Sequence, residues 1–244
     1  MKLNPPLIGI TTTGQRGTGS FCLRSEYVDA VRFSGGHPIL LPPGEPEESA
    51  LILERVDGII LSGGGDIDPA IYNGAPHPTI YSVDSERDRF EISLARLALN
   101  TDVPILGICR GLEVLVVATG GSLVPHLPDE FALVVVHRAE QARPTEHSVR
   151  IAPESCLAKV MGQTEATVVS WHHQASRTVP LGWRVTAQAA DGVIEAIEHE
   201  HHPWAIALQW HPELSINDPL QQRIFRAFVA AAQNRKQHCQ RKTG

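Results

Sequence analysis

Two short apolar runs constrain this chain more than anything else in it. "VDGIILSGGGD" (residues 56–66) and "VPILGIC" (103–109) are hydrophobic without alternation, and each passes directly into a glycine-bearing turn. A strand with one wet face alternates polar and apolar residues. A strand that is apolar throughout needs cover on both faces, as in a parallel sheet layered between helices. The surrounding segments fit that frame. "LIGITT" and "HPILLP" have strand composition, "SEYVDAVRFSGG" starts at Ser25 as a capped helix and ends in glycines, and a second helix is expected near Glu47 to Glu54. "DSERDRFEISLARLALN" has the spacing of a long amphipathic helix. Strand and helix in turn predict right-handed βαβ units and an α/β fold, with a mostly parallel central sheet and helices on both faces.

The second half changes character. "EHSVRIA", "ATVVSW", "WRVTAQAA", "GVIEAIEH" and "WAIALQW" are short strands at turn spacing, several of them expected to be antiparallel, and a last helix spans about Asp218 to Asn234. Residues 235–244 are polar and basic and are expected to form a flexible tail. No repeat or linker divides the 244 residues, which suit a single domain over 1–244.

Charge and cysteine usage narrow the function classes. A net charge of −6 gives no general nucleic-acid footprint. No segment has the length of a transmembrane helix, and "MKLNPPLIGITTTG" has no secretory apolar region. Cys22, Cys109, Cys156 and Cys239 show no paired spacing, which suits a reduced, cytoplasmic chain. The oligomeric state stays open, a homo-oligomer included.

One of those cysteines stands at a telling place. Cys109 lies between the strand "VPILGI" and a helix opening at Arg110, where Leu112, Leu115, Val116 and Thr119 recur until Gly120 and Gly121 stop the pattern. Gly107 and Gly111 flank it and permit tight backbone geometry. A nucleophile on such a turn is a hydrolase device, and a helix N-terminus, with Arg110 adjacent, is expected to favour the thiolate. A thiol nucleophile needs a base, a group to orient that base, and donors for a developing oxyanion. In "ALQWHPE", His211 is the candidate base and Glu213, two residues on, its orienter. The loop "LSGGGDIDP" offers Gly63, Gly64 and Gly65, whose backbone can approach a substrate oxygen; it is neither a dinucleotide fingerprint nor a P-loop. "EHEHHPW" (His199, His201, His202) suits a polar hairpin tip better than a metal clip, so no metal is expected there.

Taken in order, "LSGGGDIDP", "GICRG", "SWHHQA" and "LQWHPE" resemble the class I glutamine amidotransferases, and more narrowly their free-standing hydrolase branch of the γ-glutamyl-γ-aminobutyrate hydrolase type, peptidase family C26. The resemblance extends from "IGITT" to the last helix. It implies a flavodoxin-like sheet and a Cys–His–Glu triad mapping onto Cys109, His211 and Glu213. It also implies an oxyanion hole at Gly64 and Arg110, a γ-glutamyl thioester, and no metal or cofactor. The "SxHHQ" loop of the family helps bind the glutamyl head, which points to Ser170, His172, His173 and Gln174, with Gly63 and Gly65 alongside. Two departures stand out. Glu113 replaces the usual Gln four residues after the cysteine, and Val169 replaces a common Asn before Ser170, with bulky Trp171 after it. Glu113 lies one helical turn beyond Cys109 and is expected to meet the α-ammonium of a γ-glutamyl substrate. The activity these features imply is hydrolysis of a γ-glutamyl amide. The alternatives are a glutaminase subunit feeding ammonia to a synthetase, and a silent scaffold that binds a γ-glutamyl metabolite.

Overall fold

The computed structural model describes residues 4–14, 19–131, 134–139 and 143–243. In chain order the first half runs β1 (Leu7–Thr11), α1 (Ser25–Phe33), β2 (His37–Leu41), α2 (Glu48–Arg55), β3 (Gly58–Leu61), α3 (Ser85–Leu99), β4 (Ile105–Ile108) and α4 (Arg110–Ala118). The second half continues with β5 (Leu123–Val124), α5 (Leu127–Glu130), β6 (Thr145–Ile151), α6 (Cys156–Met161), β7 (Glu165–Ser170), β8 (Ala175–Ser176), β9 (Trp183–Ala189), β10 (Ile194–His199), β11 (Ala205–Leu208) and α7 (Pro219–Thr243).

Nine strands form one sheet in the order β2-β1-β3-β4-β11-β10-β9-β6-β7, while β5 and β8 pair separately. The pairs from β2 through β4 to β11 are parallel. Those from β11 through β10, β9 and β6 to β7 are antiparallel. β11 therefore joins the two halves: the last strand of the chain inserts beside β4, in the middle of the sheet.

The continuous apolar runs have the predicted cause. Successive residues of β3 and β4 feed opposite sides of the sheet. Ile60, Leu106 and Ile108 pack with α1, α6 and α7 through Ala30, Leu157, Phe225 and Phe228. Ile59, Leu61 and Ile105 pack with α2, α3 and α4 through Leu53, Phe90, Leu94 and Leu115. Each such side chain contributes about 1.5–3 kcal/mol on burial, so neither side of these strands tolerates a polar substitute.

Local signals set the helix limits. Asp84 accepts a hydrogen bond from the Arg87 amide at 3.1 Å and starts α3. α6 lies outside the elements that periodicity predicts, although its marks are in the sequence: the Ser155 side chain accepts from the Ala158 amide, and Gly162 stops the helix in the left-handed region. The stretch 235–244, expected as a loose tail, is a correction. α7 carries on through it to Thr243, and Arg235 and Lys236 tie it to the body. Arg235 donates to Asp102 at 2.7 Å and to the Val56 carbonyl, while Lys236 donates to the Pro5 carbonyl and pairs with Asp57.

Candidate active site

The carboxyl ends of β3, β4 and β11 lie side by side because these strands are neighbours and parallel. Open α/β sheets collect their ligands at that edge. Each of the three strands delivers one of the expected parts: the glycine loop, Cys109 and His211.

Cys109 is the residue between β4 and α4, and its backbone is strained, with φ 52° and ψ −107°. A non-glycine residue in such a region costs of order 1–3 kcal/mol and persists only where its surroundings hold it. They do. The Cys109 amide donates to the Leu208 carbonyl at 2.7 Å, pinning the turn to β11. A Cβ on Gly107 would lie 2.8 Å from the Gly111 carbonyl oxygen, and one on Gly111 would lie 2.1 Å from that of Leu61. The two glycines thus bring strand, turn and helix together at backbone distance.

His211 follows β11 and is fixed by its amide, which donates to the Val169 carbonyl at 2.8 Å. Its Nδ1 is 2.6 Å from Glu213 Oε1, and both side chains are buried. An ionised carboxylate only accepts, so the proton sits on Nδ1 and the rest of the ring is free to serve Cys109. The Cys109 thiol lines the same cleft as the ring, close enough to act on its charge. Burial opposes the imidazolium, yet Glu213 and the thiolate outweigh it and raise His211 well above the usual histidine value.

The electrostatics of the thiol differ from expectation. Burial pushes Cys109 up, His211 pulls against that, and Glu113 and Glu213 add to the rise. The Arg110 side chain gives no relief. It is buried and paired with Asp88 and Glu91, so its charge is already neutralised. Only the Arg110 backbone, first residue of α4, remains beside the thiol.

The glycine loop is braced from below by a second buried arginine. Arg87 Nη2 donates to the Ser62 carbonyl, the Ser62 hydroxyl and the Gly63 carbonyl at 3.0–3.1 Å, and its Nε donates to Glu91. A Cβ on Gly64 would lie 2.2 Å from Arg87 Nη1, so packing demands glycine there. The Gly63 amide donates to the Tyr27 hydroxyl at 2.9 Å and is thereby occupied. Gly63, Gly64, Gly65, Cys109, Trp171 and His211 line one cleft of about 430 Å³, with Tyr27, Tyr81 and Arg24 on its walls. The Arg24 guanidinium lies 5.8 Å from the Trp171 ring centre.

The remaining expected residues divide. Trp171 is in the cleft, its ring centre 6.2 Å from that of His211. Glu113 is buried beside the cleft and does not line it. Gln209 Nε2 donates to Glu113 Oε1 at 3.0 Å and lies 3.9 Å from Cys109 Sγ, so an amide links the two. Burial, then the charge of Asp66, pushes the Glu113 carboxyl up to about 7. His173 pairs with Asp66 at 3.1 Å, and Gln174 Nε2 reaches the Pro125 carbonyl. Ser170 and His172 hydrogen-bond within the protein. The Ser170 hydroxyl donates to the His137 carbonyl at 2.7 Å, and His172 Nδ1 donates to the Gln174 carbonyl at 2.8 Å. Gln209 and Arg87 escape motif reasoning. Gln209 stands within "LQWHPE", but nothing in that string shows that it reaches α4. The histidines of "EHEHHPW" form a turn, in which His199 Nδ1 accepts from the His201 and His202 amides.

A sequence model of peptidase C26 matches residues 6–213. The chain belongs to the peptidase C26 family. It is 34% identical to the γ-glutamyl-γ-aminobutyrate hydrolase PuuD of Escherichia coli K12, covering 95% of each chain. It is 39% identical to a Mycobacterium tuberculosis protein provisionally named a glutamine amidotransferase, over 93% of this chain and 75% of that one. A solved structure from Thermoplasma acidophilum, provisionally named as one of the subunits of GMP synthase, superposes with a TM-score of 0.67 at 20% identity over 97% of this chain and 98% of the other. That likeness shows the fold. Family and relatives together make this C26 member a glutamine amidotransferase-like hydrolase.

Proposed function

We propose that this C26 chain hydrolyses γ-glutamyl amides through a thioester on Cys109. The observation that carries the reading is the buried His211–Glu213 pair at 2.6 Å, which shares one cleft with the Cys109 thiol and the glycine loop at adjacent strand ends. Cys109 Sγ attacks the γ-carbonyl carbon. The carbonyl oxygen becomes an oxyanion and accepts from the Gly64 and Arg110 amides, worth about 10²–10³ in rate per donor. His211, protonated as the thiolate forms, gives its proton to the leaving amine, which departs as the C–N bond breaks. His211 then takes a proton from water, the hydroxide attacks the thioester, and glutamate leaves with the thiol restored. Glu213 keeps the imidazole in the required tautomer throughout.

The polar side of the site suits the glutamyl head. Burial first and then Asp66 raise Glu113, which lies just behind the cleft lining, and an α-ammonium of a γ-glutamyl substrate reaching that side would offset the charge. Arg24 on the cleft wall pairs with Glu26 at 2.5 Å and would have to share that charge with the carboxylate of a leaving amine such as γ-aminobutyrate. The test is a panel of γ-glutamyl amides, with glutamine included, assayed on wild type and Cys109→Ala in parallel. Release of amine by wild type alone is the expected result. Turnover retained in Cys109→Ala would end the proposal, and turnover of glutamine only would make the chain a glutaminase. Arg24→Ala is expected to raise KM severalfold for γ-glutamyl-γ-aminobutyrate and leave a γ-glutamyl polyamine unaffected.

A further inference from the structure

Outside the cleft, the antiparallel half of the sheet gathers three histidines and a carboxylate that the reaction does not use. His147 stands on β6, Glu195 on β10, His172 just after β7, and His137 on the segment tied to Ser170. One ligand atom from each lies within 4.8 Å of the others. Their side chains are 0–7% exposed. None of the four lines the cleft around Cys109.

The outer nitrogens of the rings assign the tautomers. His137 Nε2 is 2.9 Å from Asp191 Oδ2, His172 Nδ1 is 2.8 Å from the Gln174 carbonyl, and His147 Nδ1 is 3.3 Å from the Ser148 carbonyl. All three partners accept only, so each ring carries its proton on the outer nitrogen. With the rings neutral, the inner nitrogens, His137 Nδ1, His147 Nε2 and His172 Nε2, present lone pairs to one another and to Glu195; a second proton on a ring would make that nitrogen an ion-pair donor to Glu195 instead. All three nitrogens crowd one Glu195 oxygen at 3.1–3.6 Å, and none of these buried atoms completes a regular hydrogen bond. Lone pairs facing lone pairs in a dry interior are costly unless a cation sits between them. A backing acceptor on the far nitrogen is also the usual support of a metal-bound histidine.

The spacing fits one class of ion. The inner nitrogens lie 3.1, 3.3 and 3.6 Å from Glu195 Oε1. A tetrahedral zinc with bonds of about 2.0–2.1 Å separates its ligand atoms by roughly 3.4 Å. Three imidazoles and a single carboxylate select zinc-class ions over magnesium or calcium, which take mainly oxygen. We propose that His137, His147, His172 and Glu195 bind one zinc-class divalent ion as a structural site. The ion fastens β6, β10 and the start of the "SWHHQ" loop to one another. That loop carries Trp171 into the cleft, so the metal sets the shape of the cleft wall without touching the reacting atoms.

The test uses the full-length chain, purified from zinc-supplemented cells and passed through gel filtration. Elemental analysis is expected to find about one zinc per chain. Removing it with a strong chelator should lower Tm by at least about 5 °C, with recovery on adding Zn²⁺ but not Mg²⁺. Cobalt reconstitution should give the visible absorption of a four-coordinate ion. Glu195→Gln should lose both metal and absorption. Should that variant fail to fold, His147→Gln, on a strand with a partly exposed surface, gives the same readouts. A wild-type chain without stoichiometric metal, whose Tm ignores both chelator and Zn²⁺, would overturn the proposal and leave the four groups as a proton-sharing ion pair.

Discussion

Glu213 shows how one carboxylate would set the working pH of the proposed thiol chemistry. Its contact at 2.6 Å holds His211 well above the ordinary histidine value despite burial. Glu213→Gln removes that charge, so His211 should lose its proton at lower pH. The alkaline limb of the kcat/KM profile is expected to move down, and kcat to fall about 10²–10⁴-fold, as loss of oriented proton transfer does. An unmoved alkaline limb would assign it to another group. Glu113 makes the opposite kind of prediction, one of stability. Its pKa rises from 4.5 to about 7 on folding, mainly through burial and then through Asp66. The folded state therefore holds a proton that the unfolded state releases sooner. The stabilisation is fully present below 4.5 and is lost as pH rises through about 7. Glu113→Gln stays neutral and can still accept from Gln209. It should match wild type near pH 4.5 and exceed it by up to about 3 kcal/mol at pH 8, as read by urea unfolding at the two pH values. Equal gaps at both would show that Glu113 does not titrate in the folded state.

At the scale of the elements, the turn at Cys109 is built by β3, β4 and α4 pressing together rather than by the cysteine itself. Gly111→Ala would set a methyl 2.1 Å from the Leu61 carbonyl oxygen, a backbone atom that cannot swing aside. We expect a loss of about 3 kcal/mol or more, at or above the upper end of ordinary overpacking, together with slower labelling of Cys109 by iodoacetamide. Thermal melts and labelling kinetics check the two halves independently. Much of this arrangement is legible in the sequence: an apolar strand, glycines at 107 and 111, and a helical pattern from Arg110. The environment of the thiol is not. A helix N-terminus and an adjacent arginine argue for a lowered pKa, but Arg110 is consumed by Asp88 and Glu91 from α3, and burial dominates. Ion pairs between helices far apart in sequence leave no local trace, and those pairs decide whether a charge is available.

At the scale of the whole molecule, β11 holds the two halves of the sheet together, and Trp210 anchors its end. The indole is fully buried and donates from Nε1 to Gln221 on α7 at 3.1 Å. Trp210→Ala should cost about 3–5 kcal/mol and lower activity with it, since His211 is the next residue. A melt and an assay on the same preparation would test both. The sequence by itself determined the layered α/β architecture, because uninterrupted apolar strands and amphipathic helices can bury their surfaces in few other ways. It also singled out Cys109, His211 and Glu213 as candidates, because strand ends, glycines and the spacing within "HPE" are local facts. Tertiary structure alone decided that β11 enters between β4 and β10, 97 residues after β4 ends (205 − 108), and so brings His211 to Cys109. It alone sent Ser170 and His172 toward His137 and Glu195, and gave Gln209 to Glu113. Periodicity states which face of a strand is buried. Which distant side chain meets it there is set by strand order, and strand order is a property of the packed sheet.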